Sequence, residues 1–341
     1  MLHFECDYLE GAHPAVLEAL LQTNMEKMPG YGNDASCSRA KEKIRRLCDA
    51  DQADIHFLSG GTQTNAVVIQ ALLKPWEGVL CASCGHINTH EAGAVEAGGH
   101  KVLPLPHTFG KLNPEDAEQY LKSFFQDENR SHMVHPGMIY LTHPTEFGAL
   151  YTANELIRFS EICRRYHLFL YLDGARLGYG LASPETDVTL PLLARTCDAF
   201  YIGGTKVGAL LGEAVVFPDP MLAPHFFTFV KQQGALLAKG RILGIQFDTL
   251  FTDDLYFRIS RSAIRMAERL KEGLRQKGYR FYYASPTNQQ FLIVENNRLK
   301  ELGETVSYSY WEPFDDEHTI IRLATSWATS EKEVEQLLEL L

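Results

Sequence analysis

The sequence predicts an α/β protein, with a mostly parallel sheet in a large domain and a small α+β domain at the C-terminal end. Three observations carry that expectation. Short, nearly all-apolar runs alternate with segments of helical period, as in a parallel sheet covered on both faces. Glycine and polar residues gather just after several of these runs, where open α/β sheets form their ligand crevice. Past about residue 245 the alternation gives way to a long amphipathic helix and a few extended runs. A chain of 341 residues, 45% apolar, can bury such a core and divide into more than one domain.

In chain order, residues 1–12 read as an irregular arm. Pro14 suits a first helical position, and Val16, Leu17, Leu20 and Leu21 repeat at helical spacing, so a helix is expected over 14–23. Tyr31-Gly32-Asn33-Asp34 is a turn signal, and Ser36 or Ser38 is placed to cap a helix whose stripe includes Ile44 and Leu47. The run 54–58 ends in Ser59-Gly60-Gly61-Thr62, and 65–73 is helical. Residues 79–82 and 101–105 are extended, with a segment over 87–97 between them. Asn113 before Pro114 opens a helix to Phe125. A strand over 138–141, a helix over 154–166 and a strand over 168–172 follow, the last ending in Asp173-Gly174. The run 199–202 ends in Gly203-Gly204-Thr205-Lys206, and 214–217 is another strand. A helix spanning roughly 232–256 is expected to contain the domain boundary. Beyond it come a helix over 259–277, runs over 290–294 and 320–324, and a last helix over 331–341. The expected division is therefore an arm and first helix (1–30), a large domain (31–245) and a small C-terminal domain (246–341).

Composition narrows the function classes. The formal charge of −11 repels phosphate backbones and disfavours nucleic acid as a partner. No run approaches the roughly 18 apolar residues of a membrane span. The first residues are acidic and lack a basic leader region. Seven scattered cysteines in a chain of this size predict free thiols in a reducing, cytoplasmic setting.

Several residues at the ends of the apolar runs can carry chemistry. Lys206 follows two glycines that permit close approach to a ligand, and a buried lysine with a lowered pKa is an amine that attacks aldehydes to form a Schiff base. As a bland alternative it is a surface lysine in a loop. A carboxylate such as Asp173 can keep a pyridine nitrogen protonated, although a helix-capping aspartate beside Arg176 has the same appearance. The Gly60-Gly61-Thr62 turn opens a helix whose amides and dipole suit phosphate. His86 can stack on a heteroaromatic ring. With Cys81, Cys84 and His90 it also has a superficial likeness to a zinc set, but no second ligand pair follows at finger spacing. Arg322 lies inside an apolar run, where a guanidinium calls for a carboxylate. Phosphate cradle, stacking ring, pyridinium carboxylate, Schiff-base lysine and carboxylate clamp thus occur in chain order.

On these residues, and on the stretches IHFLSGGTQTN, YLDGARLG, FYIGGTKVGALLGEAVVF and IRLATSW, the sequence resembles the threonine aldolase branch of the β-eliminating lyase family. These are pyridoxal-phosphate enzymes of fold type I. The resemblance implies a cofactor bound by Lys206, Asp173, His86, Gly61, Thr62 and Arg176, a substrate carboxylate bound by Arg176 and Arg322, and no metal. It implies retro-aldol cleavage of a β-hydroxy-α-amino acid to glycine and an aldehyde, with β-elimination or racemisation of another amino acid as the alternative. It also implies a homodimer or homotetramer with the site at the subunit interface, and Tyr31, Lys239 or Arg241 reaching a neighbour's cofactor. Two positions depart from the family pattern. Cys6 or Asp7 falls where a serine helps bind carboxylate, and Glu146 takes the slot of a histidine that handles the hydroxyl proton. Glu146, His86 or His143 is then the candidate base.

Overall fold

The computed structural model describes residues 1–341. A seven-stranded sheet forms its centre: β1 (Asp54–Leu58), β2 (Glu77–Ala82), β3 (Val102–Leu105), β4 (His135–Thr142), β5 (Phe169–Asp173), β6 (Ala199–Gly203) and β7 (Glu213–Phe217), in the spatial order β1-β7-β6-β5-β4-β2-β3. Pairing is parallel from β6 through β5, β4 and β2 to β3, and β7 runs antiparallel to both of its neighbours. The expected mostly parallel sheet is met, because helices cover both faces. One apolar core includes Ile139, Leu170, Leu172, Phe200 and Val216, and the other includes Val79, Met138, Tyr171 and Val215. Neighbouring residues of a strand thus serve opposite faces, as the period of two requires.

The second sheet has four antiparallel strands, β8 (Arg280–Tyr283), β9 (Gln289–Glu295), β10 (Ser309–Pro313) and β11 (His318–Ala324), in the order β10-β11-β9-β8. Helix Leu255–Gln276 joins the two sheets. Its first half (Leu255, Ile259, Ala263) lies in the large core, and its second half (Met266, Leu270, Leu274) in the core of the small sheet.

Several expectations about single elements change. No single helix spans 232–256: helix Phe226–Gln232 ends, Gly234 follows at positive φ, and a new helix runs Arg241–Leu250 before Asp253 and Asp254, also at positive φ, open Leu255–Gln276. The cap of helix Ala35–Cys48 is neither Ser36 nor Ser38 but Asp34, whose side chain accepts from the Cys37 amide at 2.9 Å. Residues 87–97 hold only two single turns, His86–Thr89 and Ala94–Ala97. The arm is not wholly irregular: Leu2–His3 pairs with Val306–Ser307, and Phe4 sits in the core of the small sheet. Asn113 caps helix Pro114–Gln126 as expected, accepting from Glu115 and Asp116.

Candidate active site

Carboxyl ends of β1, β5 and β6 meet the amino end of β7 at one edge of the large sheet. A cavity of about 270 Å³ opens there, lined by Gly61, Thr62, His86, Glu146, Asp173, Arg176 and Lys206 among others. A second cavity of about 370 Å³ adjoins it. Tyr8, His86, Glu146, Arg176 and Lys206 line both, and Trp311 and Arg322 close the outer one. Gly61, Thr62, His86, Glu146, Asp173, Arg176, Lys206 and Arg322 therefore line two adjoining cavities of one cleft.

Asp173, at the end of β5, is the most elaborately held group. Its carboxylate accepts from the hydroxyls of Tyr140 (2.6 Å) and Tyr201 (2.5 Å), the Asn65 amide (2.9 Å) and the Ala175 backbone N–H (3.0 Å). All four donors are uncharged. Burial opposes ionisation, but the nearby His86 and these donors outweigh it, so the carboxyl stays below its ordinary range. The network extends outward. Asn65 also donates to Glu91 (2.7 Å) and accepts from Tyr171 (2.8 Å), while Glu91 holds Nδ1 of His86 at 2.8 Å. Asn65 stands one helical turn after Gly61 on helix Gly61–Leu72. No side chain caps that helix, so the backbone at its N-terminus faces the cleft.

Lys206 sits on the turn after β6. Burial and the charge of Arg176 bring its amine down to about 8, against the pull of Asp7, Asp173 and Glu213. Tyr8 lies beside it, with the amine 5.7 Å from the ring centroid.

Arg176 is already engaged. Its Nε and Nη2 donate to Asp7 at 2.6 and 3.0 Å, a two-pronged grip on a fully buried carboxylate that also accepts from Asn288 at 2.9 Å. Burial pushes the Asp7 carboxyl up, but Arg176 and Lys206 bring it far below the usual carboxylate range. Arg322 donates to Gln289 (3.0 Å) and to the Glu5 carbonyl (2.9 Å), and its buried Nε has no partner.

Glu146 lies in the loop after β4. One oxygen accepts from the His86 amide and the Thr142 hydroxyl, both at 2.9 Å, and the other is buried with no partner. Burial raises its pKa. His143 is buried without lining either cavity, and burial brings its imidazole down to about 4. Tyr31 lies apart from the cleft, in a cavity of its own with Lys41 and His56. The Arg241 guanidinium donates to the carbonyls of Glu26 and Asn24, and Lys239 lines neither cavity of the cleft. Cys81 is buried in the β2 core, burial raises both its thiol and that of Cys84, and no three His, Cys, Asp or Glu side chains converge as metal ligands.

Reading from sequence missed Asn65, Tyr140, Tyr201 and Glu213. Tyr140 and Tyr201 hide within apolar runs, where a tyrosine reads as packing; a hydroxyl on a fully buried strand was the available signal, since it needs a partner.

The model of the beta-eliminating lyase family matches residues 4–301. The low specificity L-threonine aldolase of Pseudomonas aeruginosa is 30% identical over 271 residues, covering 79% of this chain and 77% of that protein. A solved structure of Leishmania major threonine aldolase superposes with a TM-score of 0.96 at 43% identity, over 100% of this chain and 98% of that one. Thermus thermophilus aspartate aminotransferase shares the architecture, with a TM-score of 0.74 at 16% identity over 100% of this chain and 90% of that one. The expected fold type I is therefore met, and the chain belongs to the beta-eliminating lyase family.

Proposed function

We propose that this chain is a pyridoxal-phosphate-dependent aldolase that cleaves β-hydroxy-α-amino acids of the L-threonine and L-allo-threonine type to glycine and an aldehyde. The observation that carries it is a buried primary amine of lowered basicity, Lys206, sharing one cleft with a buried anionic carboxylate, Asp173. The donor set suits the cofactor. Asp173 is an anion whose four partners are all neutral, so a cationic ring N–H offers the charge it lacks. The uncapped helix N-terminus at Gly61 and Thr62 suits a phosphate. The similarity to the Leishmania and Pseudomonas threonine aldolases supports the substrate class.

When bound, pyridoxal phosphate supplies an aldehyde that joins an amino group and a ring that accepts the electron pair released at Cα. The chain supplies the rest. Lys206 would provide the amine that holds the cofactor. Asp173 would hold the ring nitrogen protonated, and His86, braced by Glu91, would lie against the ring. Arg322 and the remaining donors of Arg176 orient the substrate carboxylate. Glu146, which lines both cavities, would take the β-hydroxyl proton as the Cα–Cβ bond breaks.

The active form we infer is a homodimer or homotetramer. Leu17, Leu21 and Met25 are exposed apolar side chains around the first helix, and Tyr31 is exposed beside its own cavity. Five buried free thiols suit the cytoplasm. Purified protein is expected to convert L-threonine, L-allo-threonine or phenylserine into equal amounts of glycine and the matching aldehyde. Ammonia with a keto acid, or inversion at Cα alone, would contradict this reading.

A further inference from the structure

Glu213 opens β7 in the innermost part of the cleft, 3% exposed, and nothing above gives it a task. The pairing register sets it beside Leu58 of β1 and Gly203 of β6, between the turn at Gly60–Thr62 and the turn that carries Lys206. Its carboxyl grips the second of these turns. Oε2 accepts from the Gly204 N–H at 3.1 Å, and Oε1 accepts from the Thr205 hydroxyl at 2.8 Å. Thr205 is fixed in turn, since its hydroxyl accepts from the Gly212 N–H at 3.0 Å. Two neutral donors do not balance a buried charge, and no lysine, arginine or histidine forms an ion pair with Glu213. The same cavity holds the amine of Lys206, the next residue on that turn.

We propose that Glu213 is the proton partner of Lys206: it positions the lysine turn and takes up the proton that the amine gives up. The Nζ–H bond breaks and an Oε–H bond forms, the proton crossing through water in the cleft because the two groups make no direct contact. An ammonium and a carboxylate thereby become an amine and a carboxylic acid. The net charge of the pair is unchanged, so a nucleophilic amine arises in a buried cleft with no charge carried to solvent. Burial raises Glu213, against Thr205 and Lys206, and burial with Arg176 lowers Lys206, so the proton affinities of the two groups are drawn together. Other titratable and charged groups acting on the pair are Asp173 on β5, Asp7 and Arg176, with the hydroxyls of Tyr171, Tyr201 and Tyr256, all of which burial keeps protonated.

The proposal rests on Lys206 being the reactive amine, and its test needs no cofactor. The full chain, freed of bound aldehyde, is labelled with trace acetic anhydride from pH 6 to 10, and Lys206 is followed by peptide mass spectrometry against exposed Lys74. Removing a negative partner favours the neutral amine. In Glu213→Gln the labelling midpoint of Lys206 is therefore expected to fall by about half a pH unit or more, with roughly threefold faster labelling at pH 7. Glu213→Ser, small enough to be tolerated if the amide is not, gives the same downward shift, and Glu213→Asp restores most of the original profile. Unchanged Lys206 profiles in whichever of Gln and Ser folds overturn the pairing while leaving the lysine's own role intact.

Discussion

Side chains at strand ends were legible one by one because each was costly where it stood. Lys206, Asp173, His86 and Arg322 all follow or interrupt apolar runs, where a charge needs a purpose. Asp7 and Glu213 were not legible in that way. Asp7 meets Arg176 across 169 positions of chain, and Glu213 looks like the first residue of an ordinary strand. Two predictions belong at this scale. Asp7→Ala leaves the nearly buried Arg176 unpaired and is expected to lower unfolding free energy by about 3–5 kcal/mol, measured by denaturant titration. The depressed pKa of Asp7 fixes the sign with pH: its contribution is complete above the unfolded carboxyl pKa near 4 and is lost on further acidification. Glu146→Gln removes the proposed base. Its raised pKa places the acid limb of kcat above the usual carboxylate range, with rate falling as pH drops through it. The variant is expected to lose about 10²–10⁴ in kcat and to lack that limb, as measured by aldehyde release against pH. A variant retaining half the rate assigns the proton to another group.

At the scale of elements, periodicity located the long amphipathic helices and the buried parallel strands. It missed helices Leu177–Ala182 and Leu190–Thr196, which glycine and proline interrupt, and the edge strands β8 and β10, whose half-exposed aromatic residues show no clean alternation. Packing between helices sets one further expectation. Gly244 lets helix Arg241–Leu250 lie against helix Ala35–Cys48; a Cβ there would stand 2.6 Å from the Cys37 nitrogen and 2.7 Å from its Cα. Backbone cannot yield as a flexible side chain does, so Gly244→Ala is expected to destabilise by about 1–3 kcal/mol in thermal or denaturant unfolding. His143, in the loop after β4, gives a pH effect. Buried and neutral in the fold, it takes a proton only near pH 4, whereas the unfolded chain takes it near 6.5. The His143-dependent share of stability is therefore full above about pH 6.5 and declines by about 1.4 kcal/mol per unit down to about pH 4. Acid unfolding of His143→Gln is expected to be flatter across that window.

For the whole molecule, the fold class followed from composition and rhythm, whereas the joining of its parts did not. Helix Leu255–Gln276 serves two cores, and the N-terminal arm crosses to pair with Val306–Ser307 while delivering Tyr8 to the cleft and Asp7 to Arg176. Such long-range closure leaves no local periodicity to read. Assembly is tested at this scale by sedimentation velocity, where a mass of at least two chains of 38.4 kDa is expected and a strict monomer would contradict the proposed oligomer. The most direct test of the central claim is the visible spectrum of protein purified with pyridoxal phosphate, before and after borohydride. The wild-type chain is expected to show a yellow absorption band that borohydride removes, leaving the ring fixed to the peptide containing Lys206, and Lys206→Ala is expected to show neither. An unchanged band in Lys206→Ala, or the label on another lysine, would contradict the account.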